Sequence, residues 1–314
     1  MIRTEDLTKQ FVTGKGILGK KKTVTAVDRV NITITRGKVT TVVGESGSGK
    51  STLARLILRL LPPTSGRIYY EGTDITMKRS SELREFRRKV QVIFQDPFAS
   101  LNPRMNIMTI LSEPLKIHRI MPREQIKGFL ENLLESVGLS SDVLNRYPHE
   151  FSGGQRQRIS IARALTLSPE LIVADEPLSS LDVSIQAQIL NLLNRLREEK
   201  GISFLFISHD LNVVRYFSDY IYVMYLGRVV EAGLSDGIFE NPAHPYTLSL
   251  LAAVPGSGMR KKGRHLAGES DGPDHPPEGC PFYPRCPERL SICHTTPPEL
   301  TEGSGRLIAC HLQQ

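Results

Sequence analysis

No cysteine occurs in the first 279 residues of this 314-residue chain, so no disulfide can brace its main body. No apolar run approaches the ~20 residues that a helix needs to cross a bilayer. Leu56 to Leu61 is broken by Arg59, and Leu171 to Ala174 ends at Asp175. The stretch Met1-Ile2-Arg3-Thr4-Glu5-Asp6 has no apolar signal core and turns acidic early, so a cytoplasmic rather than a secreted protein is expected. An acidic excess is missing too. The formal charge is +7, gathered in Lys15 to Lys22, in Lys78, Arg79, Arg84, Arg87, Arg88 and Lys89, and in Arg260 to Arg264. No aromatic-interleaved motif or recognition helix accompanies these tracts, so nucleic acid is not an expected partner. Solvated faces, or surfaces near anionic lipid headgroups, account for them. No internal repeat is present.

The length allows one large domain and a smaller one. With 39% hydrophobic and 23% charged residues the composition is that of an ordinary globular protein with a sizeable core.

Gly44-Glu45-Ser46-Gly47-Ser48-Gly49-Lys50-Ser51-Thr52 fits the G-x-x-x-x-G-K-[ST] pattern of a phosphate-binding loop. It lies between an apolar run, Val39 to Val43, that reads as a buried strand, and Thr52 to Leu61, which reads as a helix. Glycines there let the backbone curl so that successive N–H groups point at a phosphate chain, and the helix N-terminus adds partial positive charge. Lys50 would reach the β- and γ-phosphates and the Ser51 hydroxyl would bind magnesium. A nucleoside triphosphate is the expected ligand.

Short β segments are predicted at Ile2 to Leu7 and Val30 to Ile34, with a Gly/Lys-rich loop between them, and again at Gly66 to Asp74 and Val90 to Phe94. From Ile107 to Tyr147 the pattern is helical, with apolar residues at three- and four-residue spacing over Ile126 to Val137. Strand-like Leu171 to Ala174 and Ser203 to Ile207 alternate with helical Ile185 to Glu199. That alternation predicts an α/β fold with a mainly parallel core sheet. After about Asn241 the composition shifts to Pro, Gly and Cys and reads as a linker with a small loop-rich domain.

Two further segments carry chemistry. Leu171 to Glu176 is an apolar strand ending in two carboxylates. Asp175 would hold magnesium, directly or through water, and Glu176 could polarise an attacking water as general base. Phe151-Ser152-Gly153-Gly154-Gln155 precedes a helix predicted over Arg156 to Leu165, and its glycines and Ser152 make an anion-receptive N-terminus. One chain seldom needs two phosphate loops for one nucleotide. The second therefore points to nucleotide held by another protomer.

In this order, Gly44 to Thr52, Gln95, Phe151 to Gln155, Asp175-Glu176, Ser180-Leu181-Asp182 and His209 resemble the ATP-binding subunits of ABC transporters. The resemblance covers residues 1–240 and implies a P-loop NTPase of ABC type. Such a fold has a mainly parallel core sheet, an antiparallel β subdomain and a helical subdomain at about 96–160. It implies ATP and Mg2+ as ligands and a head-to-tail dimer sandwiching two nucleotides. In that dimer Ser152, Gly153, Gly154, Gln155 and Asp182 would clamp ATP held by the partner. The resemblance further implies that Gln95 contacts magnesium and the attacking water, that His209 bonds the γ-phosphate and steadies Glu176, and that Phe11 stacks on adenine. No catalytic position departs from the family pattern.

Val92 to Arg104, Arg146 to Phe151, Asp182 to Gln188 and the tail Asn241-Pro242-Ala243-His244-Pro245-Tyr246-Thr247 resemble importers of the oligopeptide, dipeptide and nickel type. They are most similar to the second ATPase subunit of dipeptide permeases. This implies a second ATPase subunit, two transmembrane permease subunits and an extracytoplasmic solute-binding protein as partners, with the chain peripheral on the cytoplasmic face of the membrane. Peptide is the expected cargo, with nickel or oligosaccharide as alternatives. A soluble ABC protein of translation or repair is disfavoured, since neither a second cassette nor a long coiled coil is present. A purely regulatory nucleotide switch is disfavoured by the intact Glu176 and His209. Residues 241–314 form the expected C-terminal extension, in which Pro245 and Tyr246 pin the tail. Its cysteines, Cys280, Cys286, Cys293 and Cys310, are spaced C-x₅-C-x₆-C-x₁₆-C, a poor match to zinc pairs. Four thiolates suit a [4Fe–4S] cluster, which the resemblance also implies for some members. Zinc and a metal-free site stay open.

Overall fold

The computed structural model describes residues 1–13, 22–254, 278–303 and 305–313. The basic stretches within 14–21 and 255–277 lie outside them. Two compact units emerge, one made of Met1–Met77 with Ile207–Gln314, the other of Lys78–Phe206.

The first unit begins with β1 (Ile2–Thr13), which pairs antiparallel with β2 (Lys22–Val30), β3 (Thr33–Ile34) and β5 (Ser65–Tyr70). β5 turns into β6 (Thr73–Asp74). This is the antiparallel β layer. β1 runs further than its alternating apolar pattern predicts. The predicted strand Val30 to Ile34 is broken, β2 ending at Val30 and β3 starting at Thr33.

A second sheet in the same unit has the order β12-β13-β11-β10-β4. β4 (Val39–Val43) is buried at every residue, as expected of a strand covered on both faces. It pairs parallel with β10 (Tyr220–Tyr225), which pairs antiparallel with β11 (Arg228–Leu234). The hairpin β12 (Thr301–Gly303) and β13 (Arg306–Ile308) extends that edge antiparallel. Helices α1 (Lys50–Ile57), α8 (Leu211–Phe217), α9 (Ser235–Glu240) and α10 (Pro245–Ala252) complete the unit.

Among the described residues the tail packs into the core of the first unit. Tyr246, Leu251, Cys280, Phe282 and Cys293 share one apolar cluster with Val43, Val223, Tyr225 and Val230. The fully buried Glu231 anchors it: its carboxylate accepts the N–H groups of Ala243 (2.9 Å) and His244 (3.0 Å) and binds Arg306 (3.2 Å). A segment predicted as loop-rich thus contains a docked helix and a hairpin. Its turn-forming composition hid the few apolar residues that seat it.

The second unit holds α2 (Arg84–Lys89), β7 (Val90–Ile93), β8 (Leu171–Asp175) and β9 (Ser203–Ile207), in the sheet order β9-β8-β7 with β7 and β8 parallel. Around them lie α3 (Pro97–Ser100), α4 (Ile107–His118), α5 (Arg123–Ser136), α6 (Gly153–Leu165) and α7 (Val183–Lys200). α5 buries Ile126, Leu130, Leu133 and Leu134, the face its spacing predicts. Among the described residues no helix is long and apolar enough to cross a membrane.

Candidate nucleotide site

The loop between β4 and α1 is shaped by glycines that no other residue could replace. At Gly44, with φ +153°, a Cβ would lie 2.2 Å from the Met224 carbonyl oxygen. At Gly49, with φ +101°, it would lie 2.2 Å from that of Ala26. Gly49 also caps α1, so the chain turns from loop to helix at the lysine. Lys50 is buried, its ammonium donating to the carbonyls of Gly44 and Glu45 at 2.8 Å each. That fixes a cation at the helix N-terminus, where anions are favoured. Ser48 is buried, Ser51 and Thr52 are half-buried, and Ser46 and Gly47 are exposed.

Glu45 is a hub, although the loop pattern leaves its position unspecified. Its carbonyl accepts from Lys50 and from the Ser48 N–H (3.2 Å). Its N–H donates to the Tyr246 hydroxyl (2.9 Å), and its carboxylate takes a two-pronged bond from Arg285 at 2.8 and 3.0 Å. Tyr246 is wholly buried, its ring tilted against those of Tyr225 and Phe282 at centroid distances of 4.6 and 5.5 Å. Burial raises the Tyr246 phenol above its usual range, and the bond to Glu45 raises the Arg285 guanidinium. Neither residue was legible as part of the loop.

Phe11 lies exposed on β1 opposite Val24, with the Lys9 ammonium 5.4 Å from its ring centre. His209 is exposed on a turn braced by its neighbours. Ser208 accepts the Asp210 N–H (3.0 Å), and Asp210 caps α8 through the Asn212 N–H (2.9 Å).

In the second unit β8 ends at the buried Asp175, and Glu176 follows in the left-handed region with φ 47°. A non-glycine residue held there costs about 1–3 kcal/mol, a form of strain that gathers at working sites. The Gln95 side-chain amide donates to the Glu176 carboxylate at 2.9 Å, joining two of the predicted residues. Ser152 caps α6: its hydroxyl accepts the Gln155 N–H (3.4 Å), while the Gln155 side chain accepts the Ser152 N–H (3.0 Å). This reciprocal box starts the helix at Gly153, three residues before the predicted Arg156. Gly154 faces Ile185, where a Cβ would lie 2.7 Å from a side-chain methyl. Behind the loop the buried Arg156 donates to the Pro148 carbonyl (2.7 Å) and lies 3.4 Å over the Phe98 ring. Ser152, Gln155 and Asp182 are exposed, and Asp182 opens α7.

Cys280, Cys286, Cys293 and Cys310 all line one small cavity with His244 and Phe282, and the Cys280 N–H donates to the Cys293 carbonyl (2.8 Å). Burial pushes the Cys280 thiol up to about 11 and raises those of Cys286 and Cys310. The expected iron–sulfur ligand set is met only in part. The thiols converge, yet among the described residues no three acidic, histidine or cysteine side chains sit where one metal ion could be held. The cavity has room for about one water molecule.

A glycine-shaped loop with a buried lysine, and a strand ending in paired carboxylates, define a phosphate-loop nucleotide-binding protein. Residues 27–179 match the ABC transporter family, and residues 230–293 match the oligopeptide/dipeptide transporter C-terminal region. A putative oligopeptide transport ATP-binding protein of Bacillus subtilis is 51% identical over 94% of this chain and 91% of its own length. The dipeptide transport ATP-binding protein DppF of Escherichia coli is 46% identical over 99% and 93%. An ATP-binding cassette solved as a dimer in a post-hydrolysis state with ADP and Pi is 31% identical. It has a TM-score of 0.67 and covers 75% of this chain and 99% of its own. The chain belongs to the ABC transporter ATPases and carries their oligopeptide/dipeptide-type C-terminal region.

Proposed function

We propose that this chain hydrolyses ATP to power import of di- and oligopeptides, as one of two ATPase subunits beneath a membrane permease. The single observation that carries the hydrolytic reading is Glu176, held left-handed at the end of β8 with the Gln95 amide on its carboxylate. A carboxylate oriented by a second group is what a general base requires. In this reading Glu176 takes a proton from the attacking water, and Lys50 with the loop N–H groups neutralises charge on the phosphoryl oxygens. His209 bonds the γ-phosphate and steadies Glu176, and Phe11 stacks on the base.

Ser51, Asp175 and Gln95 offer hydroxyl, carboxylate and amide oxygens, the hard donors that suit Mg2+. Bound there, the ion would offset charge on the β- and γ-phosphates. The exposed Ser152-Gly153-Gly154-Gln155 loop and Asp182 act on nucleotide held by the second ATPase subunit, so closure and opening of the pair follow ATP binding and hydrolysis. Peptide as cargo rests on the names of the relatives and on the C-terminal region. Two permease subunits, an extracytoplasmic solute-binding protein and a peripheral place on the cytoplasmic face of the membrane go with it. We keep 1–240 as the nucleotide-binding domain, with the helical subdomain at about 96–160, and 241–314 as the extension. A [4Fe–4S] cluster in that extension is supported by its four cysteines alone. Iron, zinc and thiol analysis of anaerobically prepared protein tests it, and metal-free protein with four titratable thiols would reject it.

The test of function is ATP turnover by the assembled membrane complex, its binding protein empty or loaded. Stimulation by di- or oligopeptides is expected. Stimulation only by oligosaccharide or nickel would reassign the cargo, and failure to assemble with any permease would remove the transport reading.

A further inference from the structure

We propose that Arg285 and Tyr246, both in the C-terminal extension, are positioning residues for the phosphate loop that set ATP affinity by holding Glu45. Every polar group of Glu45 has a partner, and the partners divide cleanly. Its carbonyl faces the loop, binding the Lys50 ammonium and the Ser48 N–H. Its N–H and carboxylate face the extension, binding the Tyr246 hydroxyl and the Arg285 guanidinium. A displacement of Glu45 therefore carries Lys50 with it.

The hold is rigid for physical reasons. The guanidinium grips the carboxylate through two N–H bonds in a fixed fork, and the Arg285 side chain is 9% exposed. Tyr246 cannot drift, because Tyr225 and Phe282 pack against its ring and α10 begins one residue before it. Tyr225, at the end of β10, also accepts from Arg285 at 3.4 Å, tying the latch to the sheet that carries the loop. Arg285 rides on the turn between Cys280 and Cys286, where Tyr283 donates to the Cys280 carbonyl (3.0 Å) and Cys286 to that of Tyr283 (3.3 Å).

This inference rests on the ATPase reading, and its test separates the two. ATP binding to the full chain and steady-state turnover of the assembled complex are measured for wild type, Arg285→Lys, Arg285→Ala, Glu45→Gln, Tyr246→Phe and the double variant Arg285→Ala with Glu45→Gln. Arg285→Ala and Glu45→Gln are expected to raise Kd and KM for ATP about tenfold, in keeping with loss of a partly buried charge-assisted pair, with kcat changed far less. The double variant should be no worse than either single one, Arg285→Lys intermediate, and Tyr246→Phe a smaller KM effect. Additive losses in the double variant, or an unchanged KM in Arg285→Lys and Tyr246→Phe while the melting temperature falls, would overturn the latch and leave only a structural contact. Absence of ATP binding in the wild type would instead overturn the ATPase reading.

Discussion

The two loops assigned to nucleotide are built in opposite ways. Gly44 to Thr52 is held from all sides: a buried lysine on its own carbonyls, glycines under backbone neighbours, and Glu45 gripped by a segment some 200 residues away in sequence. Among the described residues, the side-chain hydrogen bonds of Ser152 to Gln155 are those of its own capping box, with Gly154 close against Ile185, and Ser152 and Gln155 are exposed. The first loop is finished by its own chain. The second is a preformed surface, which we assign to nucleotide held by a partner. Damage at a distance should therefore reach the first loop and spare the second.

The sharpest way to break this contrast is to undock the tail. Glu231→Ala removes the buried carboxylate that accepts from Ala243 and His244 and pairs with Arg306. Breaking one side of such a buried pair costs about 3–5 kcal/mol. Chemical denaturation should register that loss, with weaker ATP binding and the α6 cap unaffected. Lys50→Ala acts inside the first loop. Turnover should drop by about 10²–10³, the usual loss when one donor to a developing charge is removed, and bound nucleotide measured by equilibrium dialysis should fall with it.

Acid gives a graded version. His244 is buried, its Nδ1 accepts the Tyr246 N–H (3.0 Å), and burial holds its pKa down to about 4. Between the unfolded value near 6.5 and about 4 the unfolded chain binds the extra proton, so stability falls as pH falls through that window. The full loss is up to about 3 kcal/mol. Melting curves from pH 7 to 4 check it, and His244→Gln should flatten part of the slope. Smallest is Ser152→Ala, which removes a cap worth about 1 kcal/mol. It should lower the melting temperature slightly and depress turnover of the assembled complex while leaving ATP affinity of the isolated chain unchanged.

What the sequence made legible was local. The loop, the Asp175-Glu176 strand end and the Ser152 box each depend on residues a few positions apart, where spacing and residue type are the mechanism. β8 and β9 lie close to their predicted bounds because each is an unbroken apolar run ended by polar residues, and α7 because its apolar period is long. β10, a continuous apolar run from Tyr220 to Tyr225, has the same signal as β8 and β9. The Glu45–Arg285 pair could not be read, since 240 positions separate its members and nothing in either neighbourhood marks the other. The cysteines fell between. Their number and grouping suggested a joint role, but not the size of the cavity they line or the arrangement of the thiols.

The most direct measurement is ATP binding and single-turnover hydrolysis by Glu176→Gln beside wild type in the assembled complex. Hydrolysis reduced by about 10² or more, with ATP affinity within about twofold, is the predicted result for loss of a general base. Turnover near that of wild type would contradict the assignment of Glu176, and with it the account of how this chain hydrolyses ATP.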